Sequence, residues 1–285
     1  MVQAAIEDWS GEDTSVAEIE RELSHLRETS ALTGSANMRT SVMTHCAWVP
    51  PRWLDAAEQT LAGLAERHPS RTLLLVPLPE EPDGLDAKLA VRCFRAGDRH
   101  VCGEVIELRL RGNRVEAPAS IVLPLLISDL PVFCRWRGEP PFGEAPWDQL
   151  LDLADRVVVD SSEWDVLRYH ELAESFDQTA VSDIAWARSL PWRVALARRW
   201  PEIAEQEVLI AGPPAEAALL HGWLSVRLGQ KIPPVAAAAD ISVELDGERL
   251  PPPRDDHPTP SDLLSDELDS FGRDRTYEEA VVAAA

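Results

Sequence analysis

An α/β fold, built on a mixed sheet with flanking helices and passing to α+β in the C-terminal part, is predicted by three stretches of this 285-residue chain. Ser41 to Val49 reads as a strand stopped by Pro50-Pro51. Trp53 to Ala65 places Leu54, Ala57, Leu61 and Leu64 on one helical face, and Arg71 to Val76 is an almost unbroken aliphatic run, the mark of a strand covered on both faces. Together they form one βαβ unit. Leu89 to Leu110 then reads as a long antiparallel hairpin turning at Gly97-Asp98.

The remaining elements follow in order. Ser15 with Glu18 has the capping-box spacing, and Val16, Ile19, Leu23 and Leu26 continue it as an amphipathic helix. A Ser/Thr-rich linker, Thr29 to Thr40, comes next. Glu116 to Ile127 reads as a buried helix, too short and proline-interrupted to span a bilayer, which needs ~20 apolar residues. Ser128-Asp129 stops it, Pro131 extends the backbone before it, and Val132-Phe133-Cys134 forms a buried strand with Arg135, Trp136 and Arg137 at its C-terminal end. In open α/β sheets ligands and partners are met at that end.

Trp147 to Leu153 is expected as a helix, Arg156 to Asp160 as a strand, and Ser161 to about Ser175 as a helix. Asp183 to Trp200 is expected as one helix bent at Pro191. Glu207 to Ile210 is a strand. Pro214 opens a helix that Gly229 closes, and Asp240 to Leu250 is an edge hairpin. PPPRDDHPTP is a linker, Ser261 to Phe271 an acidic helix, and the last residues fray. The expected divisions are 1–38 (helix and linker), 39–160 (α/β), 161–250 (α+β) and 251–285 (linker and acidic helix).

Composition removes several functional classes. A net charge of −22 and a pI near 4.6 argue against a nucleic-acid partner, which needs a basic face. No stretch has the length of a membrane span or the form of a signal peptide, so no membrane partner and a cytoplasmic location are expected. Four cysteines without a C-x-x-C do not make a disulfide framework. The hairpin register sets Cys93 opposite Cys102, with Cα atoms ~4.5 Å apart. Either a reducible disulfide forms there or the two remain half-buried thiols, and any redox sensitivity is expected to run through this pair.

Catalytic signatures are absent. There is no G-x-G-x-x-G, P-loop, G-x-S-x-G or H-E-x-x-H, and the seven histidines are scattered, so neither a cofactor nor a metal is called for. Cations are almost all arginine, suited to bidentate anion contact and to stacking on rings. His68, Ser70 and Arg71, before a strand, are a candidate anion site. Ten tryptophans, several beside Arg or Pro, lean toward a binding module, since Trp and Arg anchor interfaces. The candidate partner-binding residues are Asp129, Arg135, Trp136, Arg137, Trp186, Trp192 and Arg193.

RHPSRTLLL (Arg67 to Leu75), LPLLISDLPVFCRWRGEPP (Leu123 to Pro141) and DIAWARSLPWRVALA (Asp183 to Ala197), with GWLSVRLG and DELDSFGRDRTYEEA after them, resemble the OpcA family, the glucose-6-phosphate dehydrogenase assembly proteins. The resemblance implies a cytosolic, non-enzymatic partner that binds glucose-6-phosphate dehydrogenase and raises its activity in the oxidative pentose phosphate pathway. It also implies an α/β region to about residue 160 and a smaller α+β region after it. The alternative of another class is an enzyme or sensor for a sugar phosphate, with Arg71, Arg135 and Arg137 as phosphate ligands.

Overall fold

The structure, a computed structural model, describes residues 4–32, 37–38, 41–64, 67–96, 99–233, 235–253 and 258–285. Of residues 4–7, 27–32, 37–38, 62, 92–96 and 99–102 it describes the backbone alone. The chain divides into two compact units, 1–157 and 158–285, and the division falls within one strand.

The first unit is the expected mixed α/β sheet. Its elements are β1 (Ala4–Gly11), α1 (Val16–Leu32), β2 (Asn37–Met38), β3 (Met43–Trp48), α2 (Leu54–Leu64), β4 (Ser70–Leu78), β5 (Gly84–Ala96), β6 (Arg99–Arg111), α3 (Pro118–Val122), β7 (Val132–Trp136) and α4 (Ala145–Leu153). The strands lie in the order β1-β5-β6-β4-β3-β7, with β2 beside β6. β3, α2 and β4 form the predicted βαβ unit, β3 and β4 being parallel. Arg71 to Pro77 are all buried, as an aliphatic strand covered on both faces requires.

The hairpin is longer than its apolar core suggests, thirteen residues in each arm, and it pairs Arg95 with His100, Phe94 with Val101 and Cys93 with Cys102. The Gly97-Asp98 turn, and the side chains of Cys93 and Cys102 with it, lie outside the described residues. Described residues before 39 join the sheet. β1 extends the sheet against β5, and α1 buries Ile19, Leu23 and Leu26, the stripe expected of it, with Glu18 N–H bonded to Ser15.

Two expectations change around β7. The helix expected from Glu116 to Ile127 is only α3 plus a single 3-10 turn at Leu123–Leu125, because Pro124 denies the next turn its N–H donor. Arg135 and Trp136 belong to the strand itself and are 4% and 2% exposed.

The second unit carries, after β8 (Arg156–Val159), α5 (Tyr169–Glu174), β9 (Ala180–Asp183), α6 (Ile184–Arg188), α7 (Leu190–Ala197), β10 (Val208–Gly212), α8 (Pro214–Leu228), β11 (Ala236–Ala237), β12 (Ser242–Leu245), β13 (Glu248–Arg249), α9 (Pro260–Leu268) and α10 (Arg275–Ala284). A small sheet runs β11-β10-β12-β13, the α+β character expected here. The helix expected from Ser161 begins only at Tyr169, after a 3-10 turn at Ser161–Glu163.

The long helix expected from Asp183 is two helices joined at Ser189, with Pro191 in the first turn of the second, where its missing N–H costs nothing. The C-terminal residues do not fray. Asp274 caps α10 by accepting from Thr276 and Tyr277 N–H (2.9 and 3.1 Å), and Tyr277, Ala280 and Val281 are fully buried. α8 and α10 touch backbone to backbone at Gly222, where a Cβ would collide with the Ala280 carbonyl.

Candidate functional site

In the first unit the sheet reverses its winding between β3 and β7. From β3 the chain crosses through α2 to β4 on one side. From β7 it passes through α4 and returns on the other side, where Asp155 N–H donates to the Val132 carbonyl at 2.9 Å. The carboxyl ends of β3 and β7 therefore bound a topological switch point, the place where open α/β sheets bind ligands.

Three side chains meet there. Pro50-Pro51 ends β3 and turns the chain so that Arg52 and Trp53 stand at its mouth. Trp53 packs on the cluster of Ala47, Val49, Ala57 and Leu74. Arg137 N–H donates to the Trp48 carbonyl at 3.0 Å, which fixes the strand end, and its guanidinium lies 4.8 Å from the Trp53 ring centroid, with that of Arg52 at 5.9 Å. Such cation–π contacts hold flexible cations in place. Trp53 Nε1 is buried and has no hydrogen-bond partner.

Beneath this corner Trp48 and Trp136 stack, centroids 4.8 Å apart and planes 11° apart, and Trp147 meets Trp136 edge-on at 5.3 Å. The sequence candidates thus part company. Arg137 is at the corner, while Trp136 is core. Arg135 is buried in the strand and donates Nη1–H to the Trp136 carbonyl. Its charge, the nearby His68 and above all burial hold His45 at a pKa of about 4, so this imidazole is neutral at pH 7. Asp129, exposed and left-handed at φ 65°, precedes β7 at the opposite end of the strand from Arg137, so the two do not share a surface.

At the anion site expected from His68, Ser70 and Arg71, the cation has partners inside the protein. Arg71 is 8% exposed, with Nε 2.9 Å from Glu104 Oε2 and Nη1 2.7 Å from the Leu125 carbonyl, and His68 is buried. A cation already neutralised and donating inward has little left for a ligand. Cys46 and Cys134 are ladder partners in β3 and β7, both free and buried, and the Cys46 thiol is pushed up by its hydrogen bond with Cys134 and by burial.

In the second unit Trp186 and Trp192 are 4% and 7% exposed. Arg193 lies 3.4 Å over the Trp186 ring and donates to Ser189 Oγ and the Trp186 carbonyl, both at 3.0 Å, while Trp186 Nε1 donates to Asp274 Oδ2 at 3.1 Å. Burial lowers the Arg193 pKa to about 10, which leaves it cationic at pH 7. Trp186 and Arg193 thus lace α6, α7 and the cap of α10 together, and Trp192 is buried in α7.

A polar cluster that sequence reading missed lies in the same unit. Arg188 grips Asp160 with two bonds (Nη2 to Oδ2 2.6 Å, Nη1 to Oδ1 3.0 Å) and reaches Glu216 Oε1 at 3.2 Å. Asp183 is fully buried, its Oδ1 accepting from Ser161 and Ala185 N–H. Asp183 Oδ2 and Glu216 Oε2 have no partner. The available signal was a carboxylate directly after an apolar strand, as in Val157-Val158-Val159-Asp160. Among the described residues no group of three or more His, Cys, Asp or Glu could hold a metal ion.

Burial, and then the charge of Asp160, raise the Asp183 pKa to about 7, against hydrogen bonds from Ser161 and Ala185 that lower it. The groups that act on it are Asp160, Ser161, the Ala185 N–H and Tyr169, and beyond Asp160 lie Arg188 and, paired with it, Glu216. The folded chain therefore holds a proton that the unfolded chain releases near the ordinary carboxylate value of 3.8. The stabilisation is complete below that value and is lost as pH rises to about 7, a change on the order of 4 kcal/mol. Asp183→Asn keeps the shape and discards the titration. Denaturant midpoints measured at pH 5 and pH 8 are expected to fall for the native chain relative to the variant, and parallel profiles would reject the assignment.

These features define an α/β sheet protein with an arginine–tryptophan corner at its switch point and a second, helix-laced unit. Residues 62–174 match the family model OpcA_G6PD_assem, described as the glucose-6-phosphate dehydrogenase subunit N-terminal domain. The chain is 28% identical over 183 residues to a protein of Nostoc punctiforme described as OxPP cycle protein OpcA, covering 58% of this chain and 39% of that one. It is 27% identical over 183 residues to the protein of the same description from Synechocystis sp., covering 58% and 38%. Residues 62–174 are thus similar to the OpcA family, and the chain spans about two fifths of the length of these relatives. No helix among the described residues is long and apolar enough to cross a membrane.

Proposed function

We propose that this chain binds glucose-6-phosphate dehydrogenase and promotes its assembly and activity, acting as an allosteric activator in the oxidative pentose phosphate pathway without catalysing a reaction itself. The observation that carries the reading is the family match over 62–174, a segment that contains β7 and Arg137. Two further features support it: the sequence lacks a catalytic signature, and the corner of Arg52, Trp53 and Arg137 offers the residue types that anchor interfaces. The rival reading, a sugar phosphate held by Arg71, Arg135 and Arg137, loses two of its three ligands to internal contacts.

The test mixes the full chain with a cognate dehydrogenase. Co-elution in size-exclusion chromatography and a lowered apparent substrate constant are expected. Arg137→Ala or Trp53→Ala should weaken the complex by ~10–30-fold, the scale of an interface anchor. Neither co-elution nor a change in dehydrogenase rate would overturn the proposal.

A further inference from the structure

The corner described above contains a cradle that no side chain fills. Gly138 follows Arg137 in the left-handed region, φ 78°, which glycine adopts without strain and which turns the backbone sharply away from β7. The point that a Cβ would occupy there lies 3.4 Å from Arg52 Nη2 and 3.5 Å from Trp53 Nε1. Two nitrogen donors from the turn after β3 thus lie side by side against Gly138, which is itself buried. The indole donor is the more telling of the two. A buried N–H is almost always bonded, and this one has no partner. Arg137, over the same indole, adds a second guanidinium.

Donors converging without an acceptor call for an acceptor of opposite charge. The geometry points to an oxyanion site at Gly138, in which Arg52 and the Trp53 indole N–H bind a phosphate or carboxylate group, with Arg137 supplying further positive charge. The arginine fork pairs with two oxygens of such a group, and the indole contributes a directed third bond. Because Arg52 is exposed, its guanidinium can swing aside to admit the anion and close behind it. With a net charge of −22 the chain as a whole repels anions, so binding depends on this local arrangement rather than on long-range attraction. The shared chemistry fits two sources, the phosphoryl group of a small metabolite or the carboxylate of a partner's side chain. The site goes beyond the dehydrogenase reading and stands without it.

The test follows the indole N–H signals of the full-length 15N-labelled chain by NMR, with Trp53→Phe assigning the Trp53 signal. Inorganic phosphate and acetate are titrated separately at constant ionic strength, with chloride as the control. A saturable shift of the Trp53 signal, weakened ~10-fold or more in Arg52→Gln, is the expected result. Saturation with phosphate alone identifies a phosphoryl source, and saturation with acetate identifies a side-chain carboxylate. No saturable shift with either anion, or a response undiminished in Arg52→Gln, overturns the site. Retained co-elution with the dehydrogenase in that case leaves the partner reading intact, whereas an anion response without co-elution removes the partner reading alone.

Discussion

Trp136→Ala is expected to destabilise the first unit by about 3–5 kcal/mol, as large-to-small changes at fully packed aromatic positions do. The side chain is 2% exposed, its face lies on Trp48 and its edge meets Trp147, so truncation opens a void between the sheet and α4. Off-centre stacking and edge contacts add roughly 0.5–1.5 kcal/mol each beyond the area buried. Arg137→Ala, at a half-buried strand end, should cost only about 1 kcal/mol through its contact with Trp53. Urea unfolding of the two variants separates the roles. Trp136→Ala should lose folding, and any binding defect with it, while Arg137→Ala loses partner binding in a folded chain. A Trp136→Ala midpoint equal to that of the native chain would remove Trp136 from the core.

Arg188→Ala is expected to be nearly as damaging to the second unit, for an electrostatic reason. The change removes the cation from two buried carboxylates, Asp160 and Glu216, whose side chains are 4% and 8% exposed, and leaves Asp160 with the neutral donors of Ser162. Removing one partner of a buried ion pair costs about 3–5 kcal/mol. Solvent reaches Arg188, which is 36% exposed, so screening trims the expectation to about 2–3 kcal/mol. Arg188→Lys should recover only part of the loss, since an ammonium cannot grip both Asp160 oxygens and reach Glu216 as the guanidinium does. A cost below about 1 kcal/mol, read from urea unfolding of the full chain, would show that the carboxylates find other partners.

Local signals in the chain were enough for most of the fold. The stripe Ile19, Leu23 and Leu26 positions α1, the run Arg71 to Val76 specifies a strand buried on both faces, and the apolar patterning around Gly97-Asp98 specifies a hairpin in which Cys93 meets Cys102. These depend on spacing along the backbone, which sequence carries directly. The family resemblance is equally local, and its middle segments fall within or beside the matched region.

Partnership and burial were decided by the tertiary structure. A strand covered on both faces has no alternation, so nothing in Val132 to Arg137 tells Trp136, stacked inside, from Arg137, at the mouth. Arg71 looks free in sequence until Glu104 and the Leu125 carbonyl, thirty-three and fifty-four residues away, claim it. The C-terminal helix reads as a fraying tail because an isolated helix this short is marginal in water, and it forms because Gly222 lets its backbone press against α8. The same holds for the corner at Gly138: Arg52 and Trp53 are separated from it by more than eighty residues of sequence, and only the reversal of winding between β3 and β7 brings their donors to one point.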